Sequence, residues 1–498
     1  MSRPVSSRPL RRVVAAAALL SVTAIAPPGG TQPSAPAAAA CVDAAPLKDA
    51  VARLTADVTR WGGTVGVHVI DVQSGKTIAA VGEHRAFNPA SNAKLATAAA
   101  ALRVLGGQHR FLTGLYGRIQ GDSVHELVLR GDGDPSLRTA DLWAIAAELR
   151  AAGVRHVRAL EVDQSFFDEQ YVPPAFEQQP NEWAAFRAPV AAVSLNENTV
   201  LFSVRATNEG TGALVDVDPP GFVDLTGTIT TMRKGDPEKV LVGLEARGAK
   251  LAARLGGSMP EGARLLRVAK RVDDPRLLAG YALRAVLKQV GVQVNSEPKL
   301  GGAKVKGLLF AHRSATVGEL IGALGKDSDN FYAEMLFKAI GAKKKGRPAS
   351  ADAAAEAVRR ALEGLGAFEP GVVVKNGSGL FDAARTTPAA TTALLRAMSR
   401  DTIAGPEYVA QLSVGGVDGT LRHRFRSFAD VHAVRAKTGT LDAVAALSGY
   451  VLGPPGRGSV AFAILVNGIP GKVGVARRSM DKVVEAVANE LWKGTRGR

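Results

Sequence analysis

The chain has 498 residues, too many for one ordinary domain, so two or three are expected. Apolar residues make up 46% and aromatics only 5%, which excludes a disordered chain and predicts cores of Ala, Val and Leu. The net charge of +16 favours anionic partners, but no stacking aromatics interleave with the basic residues, which speaks against nucleic acid.

Residues 1–41 read as a leader and tether rather than fold. Arg3, Arg8, Arg11 and Arg12 form a basic start, followed over 13–26 by an apolar run too short to span a bilayer. Ala24-Ile25-Ala26 and Ala38-Ala39-Ala40 each fit a signal cleavage site, with a Pro/Ala/Gly-rich tether between them. The expected location is therefore outside the cytoplasmic membrane, in the periplasm or envelope. There a basic surface suits cell-wall polymers or anionic headgroups in peripheral contact. Cys41 is the only cysteine, so no internal disulfide forms. It is a candidate lipid-carrying cysteine, but Ala38 stands where such motifs have Leu, and an unlipidated cysteine is the preferred reading. No later segment is long and apolar enough to be a transmembrane helix.

Residues 64–70 and 76–81 alternate as two strands around the turn Asp71 to Gly75. Asn88-Pro89-Ala90-Ser91 punctuates the chain, and the Ala/Leu-rich stretch 93–105 reads as a helix, placing Ser91 where a loop becomes helix. Hairpin, helix and strand follow to about 167, with a helix over 140–152. Short strands at 200–205, 228–232 and 239–244, separated by Gly, Pro and Asn turns, predict a β-rich unit. Helices are expected at 277–290, 316–324, from 329, at 351–365 and at 388–398. Three apolar strands, 432–437, 445–452 and 460–466, precede a last helix over 475–492. The pattern is α/β (α+β): an antiparallel sheet flanked by helices and interrupted by two inserted domains. The divisions are 42–115 with 305–498 for the interrupted domain, 116–198 with 272–304 for an α/β insertion, and 199–271 for a β-rich one.

Three motifs carry chemistry. S-x-x-K alone is weak, since about one match is expected by chance in such a chain, and it occurs at Ser91, Ser296 and Ser479. Pro298 spoils the second as a helix, and the third lies inside the last helix. Only Ser91 opens a helix, where free N–H groups and the helix dipole can stabilise an oxyanion. Lys94 lies on the same helical face as Ser91, within reach of its Oγ. It can act as a base if burial or a nearby cation, with Lys437 the obvious candidate, depresses its pKa. Taken singly, Ser91 reads as a helix cap and Lys94 as a solvated charge.

Ser328-Asp329-Asn330 leads into a helix and is preferred over the decoy Ser194-Leu195-Asn196. Ser328 can relay a proton to a leaving amine, and Asn330 can hold a substrate amide. Lys437-Thr438-Gly439 occurs once, at the end of a β-branched strand, followed by Thr440. Such a strand edge can dock an extended peptide and clamp its carboxylate. The Thr440 and Ser91 N–H groups can share an oxyanion. Each motif also has a plain reading, as a helix cap or a basic strand end. Three in this order outweigh those readings and indicate acyl transfer through a serine ester.

The chain resembles the class C low-molecular-mass penicillin-binding proteins, the D-alanyl-D-alanine carboxypeptidase/endopeptidase family. The likeness includes Asn88 to Lys94, Gly131 to Leu137 (with Asp132 replacing a glycine), and Ser194 to Asn198. It continues through Asn376-Gly377-Ser378-Gly379-Leu380 with Thr387-Pro388, where Asn376 stands for the usual Asp, then Gly416 to Leu421 and Ala436 to Leu441. The resemblance implies a transpeptidase/β-lactamase-like domain that trims peptidoglycan stem peptides ending in D-Ala-D-Ala, cleaves their crosslinks and is acylated by β-lactams. It implies Ser91 as nucleophile, Lys94 as base and Ser328 as relay. Asn330, Lys437 and Thr438 bind substrate, Thr440 joins Ser91 in the oxyanion hole, and no metal or cofactor is needed. Two rivals are a serine β-lactamase and a non-catalytic wall-binding scaffold. The sequence leaves the balance of carboxypeptidase and endopeptidase activity, and the oligomeric state, open.

Overall fold

The computed structural model describes residues 43–178 and 182–495. The expected leader and Cys41 lie outside the described residues.

The sheet that organises the fold is antiparallel throughout, in the order Ser413–Val414, Val434–Leu441, Val444–Val451, Val460–Asn467, Thr64–Asp71, Thr77–Val81. Thr64–Asp71, near the start of the chain, lies beside Val460–Asn467, near its end, with Thr64 opposite Asn467 and Asp71 opposite Val460. Val444–Val451 is buried at every position, as expected of a strand covered on both faces. On one face Leu447, Phe462, Ile464 and Val466 join the helices Ala44–Arg60 and Val473–Leu491 in a single core. On the other, Tyr450 and Ala461 join the helices Lys94–Val104, Asn330–Lys345 and Pro388–Ser399.

The helix Ala44–Arg60 was not expected from the sequence. Asp43 caps it by accepting the Ala45 N–H at 3.0 Å, and Leu47, Val51, Leu54 and Val58 form its buried stripe. Lys94–Val104 is buried nearly all round, which Ala98, Ala99, Ala100 and Ala101 permit because their small side chains let neighbours pack close on every side. The strand expected to end at Lys437 instead runs on to Leu441. Polar side chains at one edge do not stop a strand whose other side is paired.

A second sheet has the order Gln293–Val294, His156–Asp163, Ser123–Gly131, Arg110–Tyr116, Leu308–Thr316. One of its parallel pairs, Ser123–Gly131 and His156–Asp163, is joined through the helix Thr139–Ala151. Arg110–Tyr116 and Leu308–Thr316, far apart in the chain, pair with each other in this sheet. The β-rich segment forms two smaller sheets. One joins Leu266–Arg271, Thr199–Arg205 and Leu214–Asp218, and the other centres on the pairing of Lys239–Arg247 with Lys250–Pro260.

Candidate active site

The three motifs, distant in sequence, meet at the edge of the six-stranded sheet. Ser91 lies in a short 3-10 turn, Ala90–Ala93, that runs straight into the helix Lys94–Val104. The turn is entered through Ala90 at φ 46, a left-handed conformation costly for a residue with a Cβ. Asn88 Oδ1 holds it by accepting the Ala90 N–H at 2.9 Å. Asn92 ties the turn to the sheet, donating from Nδ2 to Ser448 Oγ at 2.7 Å.

Lys94 is 1% exposed. Its Nζ donates to Ser91 Oγ at 3.1 Å, to Asn330 Oδ1 at 2.7 Å and to the Ser378 carbonyl at 2.9 Å. Burial pushes its pKa down to about 7, against the opposing pull of Glu334 and Asp329. The lysine expected to serve as base thus titrates near neutrality, and desolvation is the cause.

The helix Val317–Gly322 widens into a π-turn over Ala323–Asp327 and stops at Ser328, which is left-handed at φ 61. Asp329 then caps the helix Asn330–Lys345 by accepting the Tyr332 N–H at 2.9 Å. Burial raises the Asp329 carboxyl to about 6, with Glu197 adding to the rise and Lys94 opposing it. Asn330, as first residue of that helix, places its amide between Lys94 and the Phe186 carbonyl, to which Nδ2 donates at 3.0 Å.

Lys437 is also 1% exposed and lies inside its strand. Its Nζ donates to Ser328 Oγ at 2.8 Å and to the Thr438 carbonyl at 2.8 Å. Burial lowers its pKa well below the ordinary lysine value, and the charge of Lys94 lowers it further. Gly439 sets how closely this strand meets the serine turn. A Cβ there would lie 2.6 Å from the Pro89 carbonyl oxygen and 3.2 Å from Ala90 Cβ, so only glycine fits. The short strand Ser413–Val414 pairs only with Ala436 and Arg435. Among the described residues, therefore, the outer edge of the strand from Lys437 to Leu441 has no strand partner. On that stretch Thr438 Oγ1 donates to Thr420 Oγ1 at 2.9 Å, and Arg477 donates to Thr440 Oγ1.

Hydrogen bonds thus join Ser91, Lys94 and Asn330 in one group and Ser328 and Lys437 in a second beside it, and Thr438 and Thr440 follow along the open strand edge. The sequence reading missed Ser378, whose carbonyl accepts from Lys94, Glu334, which accepts the Ser378 N–H, and Arg477, which donates to Thr440. Ser378 stood in a recognised segment and carried the available signal. The decoys have structural roles. Ser194 is buried and donates to the Ala191 carbonyl, Ser296 Oγ accepts the Leu160 N–H, and Lys482 pairs with Glu485. The two substituted loop positions are also accounted for: Asp132 accepts the Leu112 N–H, and Asn376 bridges the Pro174 carbonyl and the Gly379 N–H. No cluster of three or more His, Cys, Asp or Glu able to hold a metal occurs among the described residues.

A family model described as D-Ala-D-Ala carboxypeptidase 3 (S13) matches residues 47–489. A D-alanyl-D-alanine carboxypeptidase from Actinomadura sp. (strain R39) is 33% identical over 450 residues, spanning 86% of this chain and 82% of the relative. The carboxypeptidase DacB of Haemophilus influenzae is 25% identical, spanning 82% of this chain and 86% of its own. Among solved structures, penicillin binding protein 4 from Haemophilus influenzae matches with a TM-score of 0.72 at 24% identity, over 88% of this chain and 99% of that one.

Proposed function

The chain belongs to the D-Ala-D-Ala carboxypeptidase 3 (S13) family and is a serine-type carboxypeptidase; from that premise we propose how its own residues carry the reaction. Ser91 Oγ attacks the carbonyl carbon of the penultimate D-Ala of a stem peptide, while Lys94 Nζ takes its proton. The negative oxygen that develops lies between the N–H groups of Ser91 and Thr440. Collapse breaks the peptide C–N bond. Ser328 passes a proton to the departing amine and is resupplied with the one Lys94 took from Ser91, so Lys94 is neutral again as D-Ala leaves. A water molecule, deprotonated by Lys94, then hydrolyses the ester and restores Ser91.

Substrate recognition follows from the open edge. An extended peptide adds along Lys437 to Leu441 through main-chain hydrogen bonds, and Asn330 holds its amide. Lys437 and the Thr438 hydroxyl meet the terminal carboxylate. A β-lactam presents a carbonyl and a carboxylate in a similar relation, which makes it an acylating inhibitor of the same serine. A crosslink is cleaved by the same steps when its leaving amine belongs to a neighbouring stem.

The observation that carries this reading is the buried Lys94 ammonium donating to Ser91 Oγ at 3.1 Å, with a pKa of about 7. A lysine of ordinary basicity would be almost wholly protonated at neutral pH and useless as a base. Mass spectrometry of muropeptides incubated with the enzyme tests it. Wild type removes terminal D-Ala and Ser91→Ala does not. Equal release by the two proteins contradicts the assignment.

We also place the enzyme outside the cytoplasmic membrane, where its substrate is made into wall. Among the described residues no helix is long and apolar enough to cross a membrane. We also propose a catalytic domain with two insertions; the separate sheets support it, although Arg110–Tyr116 and Leu308–Thr316, expected within the catalytic domain, pair in the second sheet instead.

A further inference from the structure

One buried acid, a single residue removed from Lys94, has no place in the steps above. Glu334 sits in the second turn of the helix Asn330–Lys345, its side chain buried. Its Oε2 accepts the Gly377 N–H at 3.0 Å and its Oε1 accepts the Ser378 N–H at 2.8 Å. The carbonyl of Ser378 in turn accepts from Lys94 Nζ at 2.9 Å. From the opposite side, Thr97 Oγ1, one turn beyond Lys94, donates to the Gly377 carbonyl at 2.6 Å. Gly377 is pressed onto the Glu334 helix: a Cβ there would meet the Ala333 carbonyl oxygen at 2.4 Å and Phe337 Cβ at 2.7 Å.

We infer that Glu334 is a positioning residue for acylation, aiming the Ser378 carbonyl at Lys94 and supplying the buried counter-charge to its ammonium. The inference rests on the roles proposed for Ser91 and Lys94.

Each Glu334 oxygen accepts one peptide N–H, an arrangement that stabilises the ionised carboxylate. Burial pushes its carboxyl up from the ordinary value, while these N–H groups, Ser378 and Lys94 pull it back down. The charged groups that act on it are Lys94, on the helix Lys94–Val104, and Lys338, one turn further along its own helix, while Asp329 at the start of that helix acts on Lys94. Lys437 lies beyond Lys94. Lys338 is already paired with Asp168, which leaves Lys94 as the cation Glu334 serves. A buried ammonium with no counter-charge loses its proton too readily and becomes a weak base. One over-stabilised by several carboxylates stays protonated. Glu334 holds Lys94 between these limits while fixing one of its three acceptors.

The test is the rate of acylation by a fluorescent penicillin as a function of pH, with thermal unfolding run alongside. In Glu334→Gln the acid limb moves down by about one pH unit, because the ammonium has lost a counter-charge, and the plateau falls about tenfold because the base is weaker and its acceptor displaced. Glu334→Asp keeps the charge with a shorter reach, so its acid limb stays and its plateau falls. Thr97→Val loosens the same peptide unit without touching a charge, and likewise lowers the plateau with an unmoved acid limb. A Glu334→Gln enzyme with the wild-type limb and plateau overturns the inference. If Glu334→Gln does not fold, the other two variants decide: a wild-type plateau in Glu334→Asp, or a shifted limb in Thr97→Val, overturns it. A wild-type enzyme that takes up no penicillin would instead refute the roles of Ser91 and Lys94.

Discussion

The six-stranded sheet and the β-rich segment between residues 199 and 271 are built from similar strands but treat charge differently. In the first, Val444–Val451 is buried along its whole length, and the lysines at its margin, Lys94 and Lys437, are sealed from water. In the second, Lys239–Arg247 alternates between exposed and half-buried positions, and Leu241 is 65% exposed. A strand with one wet face keeps its charges hydrated. A sheet covered on both faces forces any charge at its edge to find partners or give up its proton. That is why the basicity of Lys94 and Lys437 is strongly lowered, and why the difference can be tested by substituting matched positions in the two regions.

The largest effect is expected from Lys94→Met, which keeps bulk but removes the base: penicillin acylation should fall by about a thousandfold, read by the rate of fluorescent labelling. Next is Gly439→Ala. Its Cβ, 2.6 Å from the Pro89 carbonyl oxygen, must push the serine turn away from the strand. A displacement approaching 1 Å costs on the order of a hundredfold in acylation rate. The matched substitution in the β-rich sheet, Gly243→Ala, has its nearest neighbour at 3.8 Å and should leave labelling unchanged. Equal losses from the two glycines would break the contrast.

The pH profile gives a smaller, graded effect. Lys94 acts only when neutral, and its pKa is lowered to about 7. Acylation should therefore rise as pH passes upward through that value and fall about tenfold per unit below it. A profile still climbing towards pH 10 would show that burial does not depress this lysine. In stability rather than rate, Leu447→Ala should cost about 2–5 kcal/mol by opening a cavity in the covered sheet. Leu241→Ala should cost less than about 0.5 kcal/mol, because its side chain is already in water. Denaturant titration of both variants distinguishes them.

The parts legible in the sequence were those whose meaning is local. Ser91 and Ser328 stand where loops become helices, and Lys437 continues a β-branched strand, so neighbouring residues disclose their settings. Glu334 looks like any helical acid from its own neighbours. Its burial depends on Gly377 and Ser378, brought back to it from 43 and 44 residues further along the chain. The helix Ala44–Arg60 escaped notice because it directly follows a leader-like stretch, although Leu47, Val51, Leu54 and Val58 have helical spacing. The strand end placed at Lys437 was wrong for a related reason. Polar residues at an open edge mimic a terminus, while the pairing with Ala445 and Val444 that carries the strand on to Leu441 comes from the far side of a turn.

The proposed chemistry stands or falls on which residue is acylated. Wild-type enzyme incubated with penicillin, digested and mapped by tandem mass spectrometry should carry one penicilloyl group, on Ser91, and Ser91→Ala should carry none. An adduct on Ser328 or any other residue, or undiminished acylation of Ser91→Ala, would contradict it.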